Sequence, residues 1–360
     1  MHADGAPCRV LRWRTRNWYI LACKNRIKNL VGGGAMSSSF FRIVAGAVCV
    51  AASAASIAQA PSFPVKPLKL IVPVPAGGPL DIAGRIVAQA LSAGLGQQVI
   101  VENRPGAGAT LGAEAVAKSP PDGYTLLLGS TGSLASSPSL YSKLGYDSRK
   151  SFAPIGLIGT APFVIVVNSS VPAASLKEFI ELARSRPGQI NYGSPGNGLP
   201  PHIISEAFKT MTGLNLVHVP YKGTAGSVTA LISGDVQFMI EQYAPMQPHI
   251  RAGKIRPLAV ASAKRYPQLA DVPATTEAGL PGFEWSAWTG LLAPRGTPPE
   301  IIARLNAETA KALKIKEVRD ILANQGIEPA GNTPEQFAAF IDVEIDKWSR
   351  AVKASGASID

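Results

Sequence analysis

The residue types in this chain that could do chemistry sit in strand-to-helix turns rich in Gly, Ser, Thr and Pro. The first is Val72-Pro-Val-Pro-Ala-Gly-Gly-Pro-Leu-Asp81, where Pro73, Pro75, Gly77, Gly78 and Pro79 leave almost no side-chain bulk. A strand passing through such a turn into a helix presents backbone N–H groups and the positive end of a helix dipole, which suit an anion. One such turn needs its glycines only for positive φ, so the ligand reading rests on repetition. Gly129-Ser-Thr-Gly132, Asn191-Tyr-Gly-Ser-Pro-Gly-Asn-Gly-Leu-Pro-Pro-His202 and Pro220-Tyr-Lys-Gly-Thr-Ala-Gly226 repeat the design. Catalytic constellations are scarcer. His202, His218 and His249 have no metal-ligand spacing, and Ser194 sits in Tyr-Gly-Ser-Pro-Gly rather than G-x-S-x-G. No phosphate-loop motif occurs. Gly106, Gly108 and Gly112 approach a dinucleotide fingerprint but follow the second strand and lack a suitable acid, so they predict close helix–strand packing.

The elements that must position these turns follow from periodicity. Short apolar or β-branched runs predict strands at 68–72, 98–103, 124–128, 216–219, 236–240 and 256–261. Ile82, Ile86, Val87, Ala90 and Leu91 fall at helical spacing after the first turn. Ser175 with Glu178, Thr297-Pro-Pro-Glu300 and Thr333-Pro-Glu-Gln336 predict capping boxes. Phe337, Phe340, Ile341, Ile345, Trp348 and Val352 form a core-facing stripe on the last helix. The stretch 152–167, with Gly159-Thr-Ala-Pro162 between two apolar runs, predicts a crossing from one half of the chain to the other, and 283–294 predicts the return. Ligands of open α/β sheets lie beyond the carboxyl ends of the strands. Two such sheets facing each other make a cleft whose walls offer backbone amides to an anion, which points to a binding protein.

The net charge of +11 over 360 residues invites a nucleic-acid reading, which its distribution removes. Arg9, Arg12, Arg14, Arg16, Lys24, Arg26 and Lys28 stand against Asp4 alone in residues 1–35, and with Arg42 they leave +4 for the rest. That remainder has no basic run or basic–aromatic stripe. Met36-Ser-Ser-Ser-Phe-Phe-Arg42, the apolar run 43–57 and Ala58-Gln59-Ala60 have the order of a secretory signal. Residues 1–35 then read as an extension upstream of the true start at Met36, and the mature chain is expected to begin near Gln59. Cys8, Cys23 and Cys49 all precede that point, which excludes disulfides and thiolate chemistry from the mature chain.

With these pieces in order, the stretch from about 63 to 355 resembles the Bug/TctC family of periplasmic solute receptors associated with tripartite tricarboxylate transporters. The resemblance rests on Val72-Pro-Val-Pro-Ala-Gly-Gly-Pro-Leu-Asp81, Val101-Glu-Asn-Arg-Pro-Gly-Ala-Gly108, Pro121-Asp-Gly-Tyr124, Tyr192-Gly-Ser194, His218-Val-Pro-Tyr-Lys-Gly223 and Gly290-Leu-Leu-Ala-Pro294. It implies an α/β, two-lobed type II periplasmic-binding fold, with two open sheets flanked by helices and a ligand cleft between. Domain I would be 61–161 with 287–360, and domain II 162–286. The implied ligand contacts are Val74, Pro75, Ala76, Gly77, Gly78, Leu80, Asp81, Ser130 and Thr131 from the first lobe. Ser194, Gly196, Asn197, Gly198, His202, Tyr221, Lys222 and Gly223 would come from the second. Asp81 is expected to orient its loop or a water, and Lys222 to be the one cation near the cleft. Three positions depart from the family: Val74 for an aromatic, Leu80 for a small hydroxyl residue and Glu241 for Asp. The first two predict a monocarboxylate with an apolar body over a tricarboxylate. No metal, cofactor or nucleic acid is implied, and the receptor is expected to be a periplasmic monomer serving a membrane permease. Two other roles stay open: a co-receptor for a membrane sensor kinase, and a periplasmic hydrolase using Ser194 and His202.

Overall fold

In the computed structural model, which describes residues 63–357, the apolar run Leu68–Val72 forms β1. It lies between β2 (Val99–Asn103) and β3 (Thr125–Ser130), parallel to both. A strand covered on both edges and both faces is a nearly continuous hydrophobic run. The Gly-rich turn leads into α1 (Pro79–Leu95), with Pro79 at the first helical position and a left-handed Gly96 at the end. Ala83, Val87, Ala88, Leu91 and Leu95 are its buried apolar face. Gly84 sets how close α1 comes: a Cβ there would lie 2.9 Å from the Val72 side chain and 3.1 Å from that of Leu128. In the short α2 (Thr110–Ala117), Gly112 does the same, since its Cβ would lie 2.8 Å from Pro73.

β3 runs into a π-helical turn, Thr131–Ser136, and the one-turn α3 (Ser137–Leu140). Next comes β4, Phe152–Asn168, unbroken for 17 residues. The expected crossing is therefore a continuous strand rather than two runs separated at 159–162. Pro154 and Gly159 lie beside register shifts in its pairing with β9 (Ser286–Pro294), where a bulge accommodates residues unsuited to a regular ladder. Residues 152–162 of β4 pair with β9, and 163–168 with β7 (Phe238–Gln242) and β8 (Ile255–Val260), all antiparallel. β9 also pairs with β3, which returns the chain to the first sheet. The strand order is β2-β1-β3-β9-β4-β7-β5-β6, with β5 (Asn191–Ser194) parallel to β6 (Val217–Pro220) and to β7. The short β10 (Glu328–Pro329) joins β4 at Thr160 and Gly159. The result is a mixed α/β architecture in which two helix-flanked sheets share one long strand.

The remaining helices are α4 (Leu176–Ser185), α5 (Pro200–Thr212), α6 (Thr224–Ser233), α7 (Tyr243–Arg251), α8 (Pro299–Ala312), α9 (Lys316–Asn324) and α10 (Pro334–Ser355). Of the three expected capping boxes only Thr333–Gln336, opening α10, is complete. Ser175 accepts from the Glu178 N–H, but the Glu178 carboxylate reaches past it to the Ala174 N–H. Thr297 caps nothing: its hydroxyl donates to the Pro294 carbonyl, and Pro298 takes the cap position. Along α10, Phe337, Ile341, Ile345, Trp348 and Val352 are buried and Phe340 is half-buried. Each large side chain contributes about 1.5–3 kcal/mol by leaving water. α10 packs on β4, on α5 beside the second sheet and on the Thr131–Ser136 turn of the first, so it ties both halves together. No helix among the described residues is long and apolar enough to cross a membrane. The expected extension 1–35 and signal segment 36–60, with all three cysteines, lie outside the described residues.

Candidate functional site

A cavity of about 180 Å³ opens where strand ends from both sheets meet. The start of α1 contributes Pro79 and Leu80, and the end of β3 contributes Ser130, Thr131 and Gly132. β4 adds Gly159 and Ala161, and β9 adds Ala287, Trp288 and Thr289. Pro200 comes from the start of α5, Gln242 from the end of β7, and Gln325 and Ile327 from the segment before β10. None of these lining side chains is charged. The starts of α1 and α5 thus flank one space with the positive ends of their dipoles, although α5 opens on Pro200 and Pro201, which have no N–H, and the His202 N–H already donates to the Leu199 carbonyl.

Hydrogen bonds fix the polar rim. The Trp288 N–H donates to Thr131 Oγ1 at 2.8 Å, and the Thr289 hydroxyl donates to the Gly129 carbonyl at 2.9 Å, locking β9 to β3 beside the cavity. Ser130 and Ser133 cap each other's backbone at the start of the π-helical turn. The Trp288 ring packs edge-on against Phe337 and Phe340, and its buried indole N–H has no hydrogen-bond partner among the described residues.

Asp81, though buried, does not line the cavity. Its Oδ2 accepts from the Gly77 N–H and Arg85 Nε, both at 2.9 Å, and its Oδ1 accepts from Asn103 Nδ2 at 2.8 Å. Burial pushes its pKa up, but the bonds from Arg85, Gly77 and Asn103 outweigh it and hold the carboxyl below its ordinary range. Asn103 also donates to the Val74 carbonyl. The Gly-rich loop is therefore laced back onto α1 and β2. Val74 packs against the core under α1, Pro75, Ala76 and Gly77 face solvent, and Gly78 serves as the N-cap of α1. Of the first-lobe residues expected to contact ligand, only Leu80, Ser130 and Thr131 line the cavity.

On the second sheet none of the expected residues lines the cavity, and several are tied to one another instead. Ser194, fully buried, has its Oγ 2.7 Å from His218 Nε2, so the serine pairs with His218 and not with His202. His202 stacks on His218 with ring centres 4.2 Å apart, and His218 stacks on Tyr192 at 4.7 Å. The Gly198 N–H donates to His202 Nδ1, and the Tyr221 and Gly223 N–H groups donate to the Ser194 and Pro195 carbonyls. Burial, then the neighbouring His202, push the His218 pKa down to about 4, and burial lowers that of His202. Gly196 is half-buried, and Asn197 and Lys222 are exposed; none of the expected second-lobe residues lines the cavity, which that side reaches through Pro200 and Gln242. Lys222 is thus not a cation of the cavity. No group of three or more His, Cys, Asp or Glu among the described residues is arranged to hold a metal.

Sequence reasoning missed Thr289, Gln242 and Gln325, and treated Trp288 only as part of a crossing. Gln242 carried a usable signal, since it follows a predicted strand at its carboxyl end. Beside it Glu241 is buried, its Oε1 accepting from the Gln242 N–H at 2.8 Å and its Oε2 without a partner among the described residues. Burial pushes its pKa up to about 7.

Residues 83–357 match the family model described as "Tripartite tricarboxylate transporter family receptor". Protein BugT of Bordetella pertussis is 37% identical over 317 residues, covering 88% of this chain and 97% of BugT. The solved structure of Rpa4515 from R. palustris with adipate superimposes with a TM-score of 0.71 at 38% identity, covering 82% of this chain and 99% of that one. MatC (Rpa3494) from Rhodopseudomonas palustris, with bound malate, gives a TM-score of 0.68 at 35% identity, covering 81% and 100%.

Proposed function

Because the chain belongs to the tripartite tricarboxylate transporter receptor family, we propose that it captures a small carboxylate in the cavity between its sheets for delivery to a membrane permease. One observation carries this reading: two helix N-termini and the Ser130–Thr131 turn converge on one cavity whose lining has no charged side chain. Two half-charges neutralise about one carboxylate without a cation. The Thr131 hydroxyl already accepts from Trp288, which leaves its proton for a ligand oxygen. The adipate and malate of the related structures belong to the same chemical class. At about 180 Å³ the cavity lies below the ~300 Å³ at which pockets for drug-sized ligands begin, so it suits a small acid.

The two sheets act as lobes, residues 61–161 with 287–360 and residues 162–286, closing about β4 and β9. The receptor works as a periplasmic monomer, exported by the segment 36–60. It acts as a receptor rather than an enzyme: Ser194 is fully buried, and neither it nor its partner His218 lines the cavity. A second carboxylate would face no lining cation, at a cost of several kcal/mol, whereas Leu80, Ala161, Ala287 and Ile327 offer apolar surface worth roughly 25 cal/mol per Å² buried. Melting the purified protein against a panel of acids tests this. A monoacid at about a hundredfold its Kd stabilises the fold by roughly 2.7 kcal/mol, a shift of a few degrees. Citrate raising the Tm while small monoacids do not would refute the reading, and Thr131→Val should reduce the shift for every acid that binds.

A further inference from the structure

Two neutral carboxamides, those of Gln242 and Gln325, belong to residues that line the cavity from separate elements. Both residues are half-buried, and among the described residues neither side chain has a hydrogen-bond partner. Their neighbourhood is fixed. Gly326, just after Gln325, packs on Ala244, two residues past Gln242, so closely that a Cβ on Gly326 would lie 3.0 Å from the Ala244 Cβ. Gln268 Nε2 donates to the Ala323 carbonyl at 3.0 Å and holds the same segment against the second half of the molecule.

The opposite side of the cavity is the Ser130–Thr131 turn. Strand register measures the span between the two. Ser130 on β3 is level with Thr289 on β9, Thr289 with Gly159 on β4, and Gly159 with Pro329 on β10. At about 4.8 Å per strand, roughly 10 Å separates β3 from β4 and roughly 14 Å separates β3 from β10, the strand into which Gln325 and Ile327 lead. The apolar part of the lining is Leu80, Ala161, Ala287 and Ile327, with Ala161 and Ala287 level with each other on β4 and β9 between the two ends.

Resting on the carboxylate reading, we propose that Gln242 and Gln325 form a distal subsite that selects linear acids bearing an uncharged hydrogen-bonding group, such as a carboxamide, at the far end. Two glutamine amides present both donors and acceptors, and a ligand carboxamide matches both. A methyl end would desolvate the amides and leave them unpaired, which disfavours the simple fatty acid. A second carboxylate would use only their donors and bring a charge to a surface without a cation. Gln242 and Gln325 therefore set specificity at the end of the ligand away from the anion site.

Isothermal titration calorimetry with hexanoate, adipate and the monoamides of four- to six-carbon diacids tests the proposal. The best monoamide should bind roughly tenfold tighter than hexanoate and tighter than adipate. Gln242→Ala and Gln325→Ala should each weaken that monoamide by about five- to tenfold and leave hexanoate binding as tightly or tighter, with unliganded Tm values unchanged. Gln325→Glu should weaken adipate most of all. Hexanoate binding as well as every monoamide, or both alanine variants losing all acids equally, overturns the subsite while leaving the carboxylate site standing. Adipate binding tightest, with that advantage lost in the alanine variants, overturns the uncharged class. No binding by any of these acids overturns the subsite together with the carboxylate reading on which it rests.

Discussion

Glu241→Gln should abolish a pH dependence of stability that the native chain carries between about pH 4.5 and 7. Glu241 lies opposite Val164 in the β4–β7 ladder, buried, with one carboxylate oxygen bonded to the Gln242 N–H and the other unpartnered among the described residues. Burial raises its pKa from the ordinary 4.5 to about 7. Below pH 4.5 the group is protonated in both folded and unfolded chains and has no net effect. Between 4.5 and 7 the folded state holds a proton that the unfolded state has released, so stability falls as pH rises. Above 7 both states are ionised and the full penalty applies. The shift corresponds to about 3 kcal/mol, at 1.36 kcal/mol per tenfold change in acidity. Glutamine keeps the shape and the acceptor for the Gln242 N–H but carries no charge.

Urea denaturation of both proteins across pH 4 to 8 reads this out as a difference between two curves. The subtraction matters because His218 and His202 slope the other way. Their pKa values are depressed, so their contribution is complete above pH 6.5 and is lost as pH falls toward the folded value, about 4 for His218. Both histidines are present in both proteins and cancel. The variant should match the native chain at pH 4 and exceed it by about 3 kcal/mol at pH 8, with unchanged m-values. Parallel curves over the whole range would refute the assignment of a raised pKa to Glu241.

Asp81→Ala leaves the Gly77 N–H and the Asn103 amide without their acceptor and should destabilise the fold by about 1–3 kcal/mol at pH 7 in urea titrations. The loss relative to the native chain should shrink below about pH 3.8, where the native carboxyl, held low by its donors, also becomes protonated. Closure on ligand should compact the molecule in small-angle scattering and change the fluorescence of Trp288, which lines the cavity. Trp288→Phe should remove most of that optical signal while the compaction persists, and a saturating ligand that produced no compaction would contradict a two-lobed receptor.

The sheets and the helix starts were legible in the sequence because each local signal agreed with the global fold. Leu68–Val72 reads as a buried strand and is one, and Pro79 and Thr333 open helices where their backbone chemistry favours it. Thr297 misled because a hydroxyl three residues before a glutamate is a capping signal only if the chain places it at the cap, and its bond to the Pro294 carbonyl moved that place to Pro298. The turns were legible as turns, yet their glycines did not say which way the loop would face. Asp81 and Arg85, one turn apart on α1, meet Asn103 only because β2 packs beside β1, and their bonds tie down a loop whose residues 75–77 face solvent.

The cavity itself is made where sequence signals are weakest. Ser130 and Thr131 announce themselves by following a strand, but Gln325 comes from a helix end and reaches the site only because β10 adds to β4 and Gly326 seats on Ala244. A neutral polar residue in such a place has no motif, since its role depends on a distance fixed by three other strands. Strand order across β3, β9, β4 and β10 sets that distance at two to three strand spacings. The glycine-rich turns therefore locate one end of the ligand, and the register of the sheets determines how far away its other end must be.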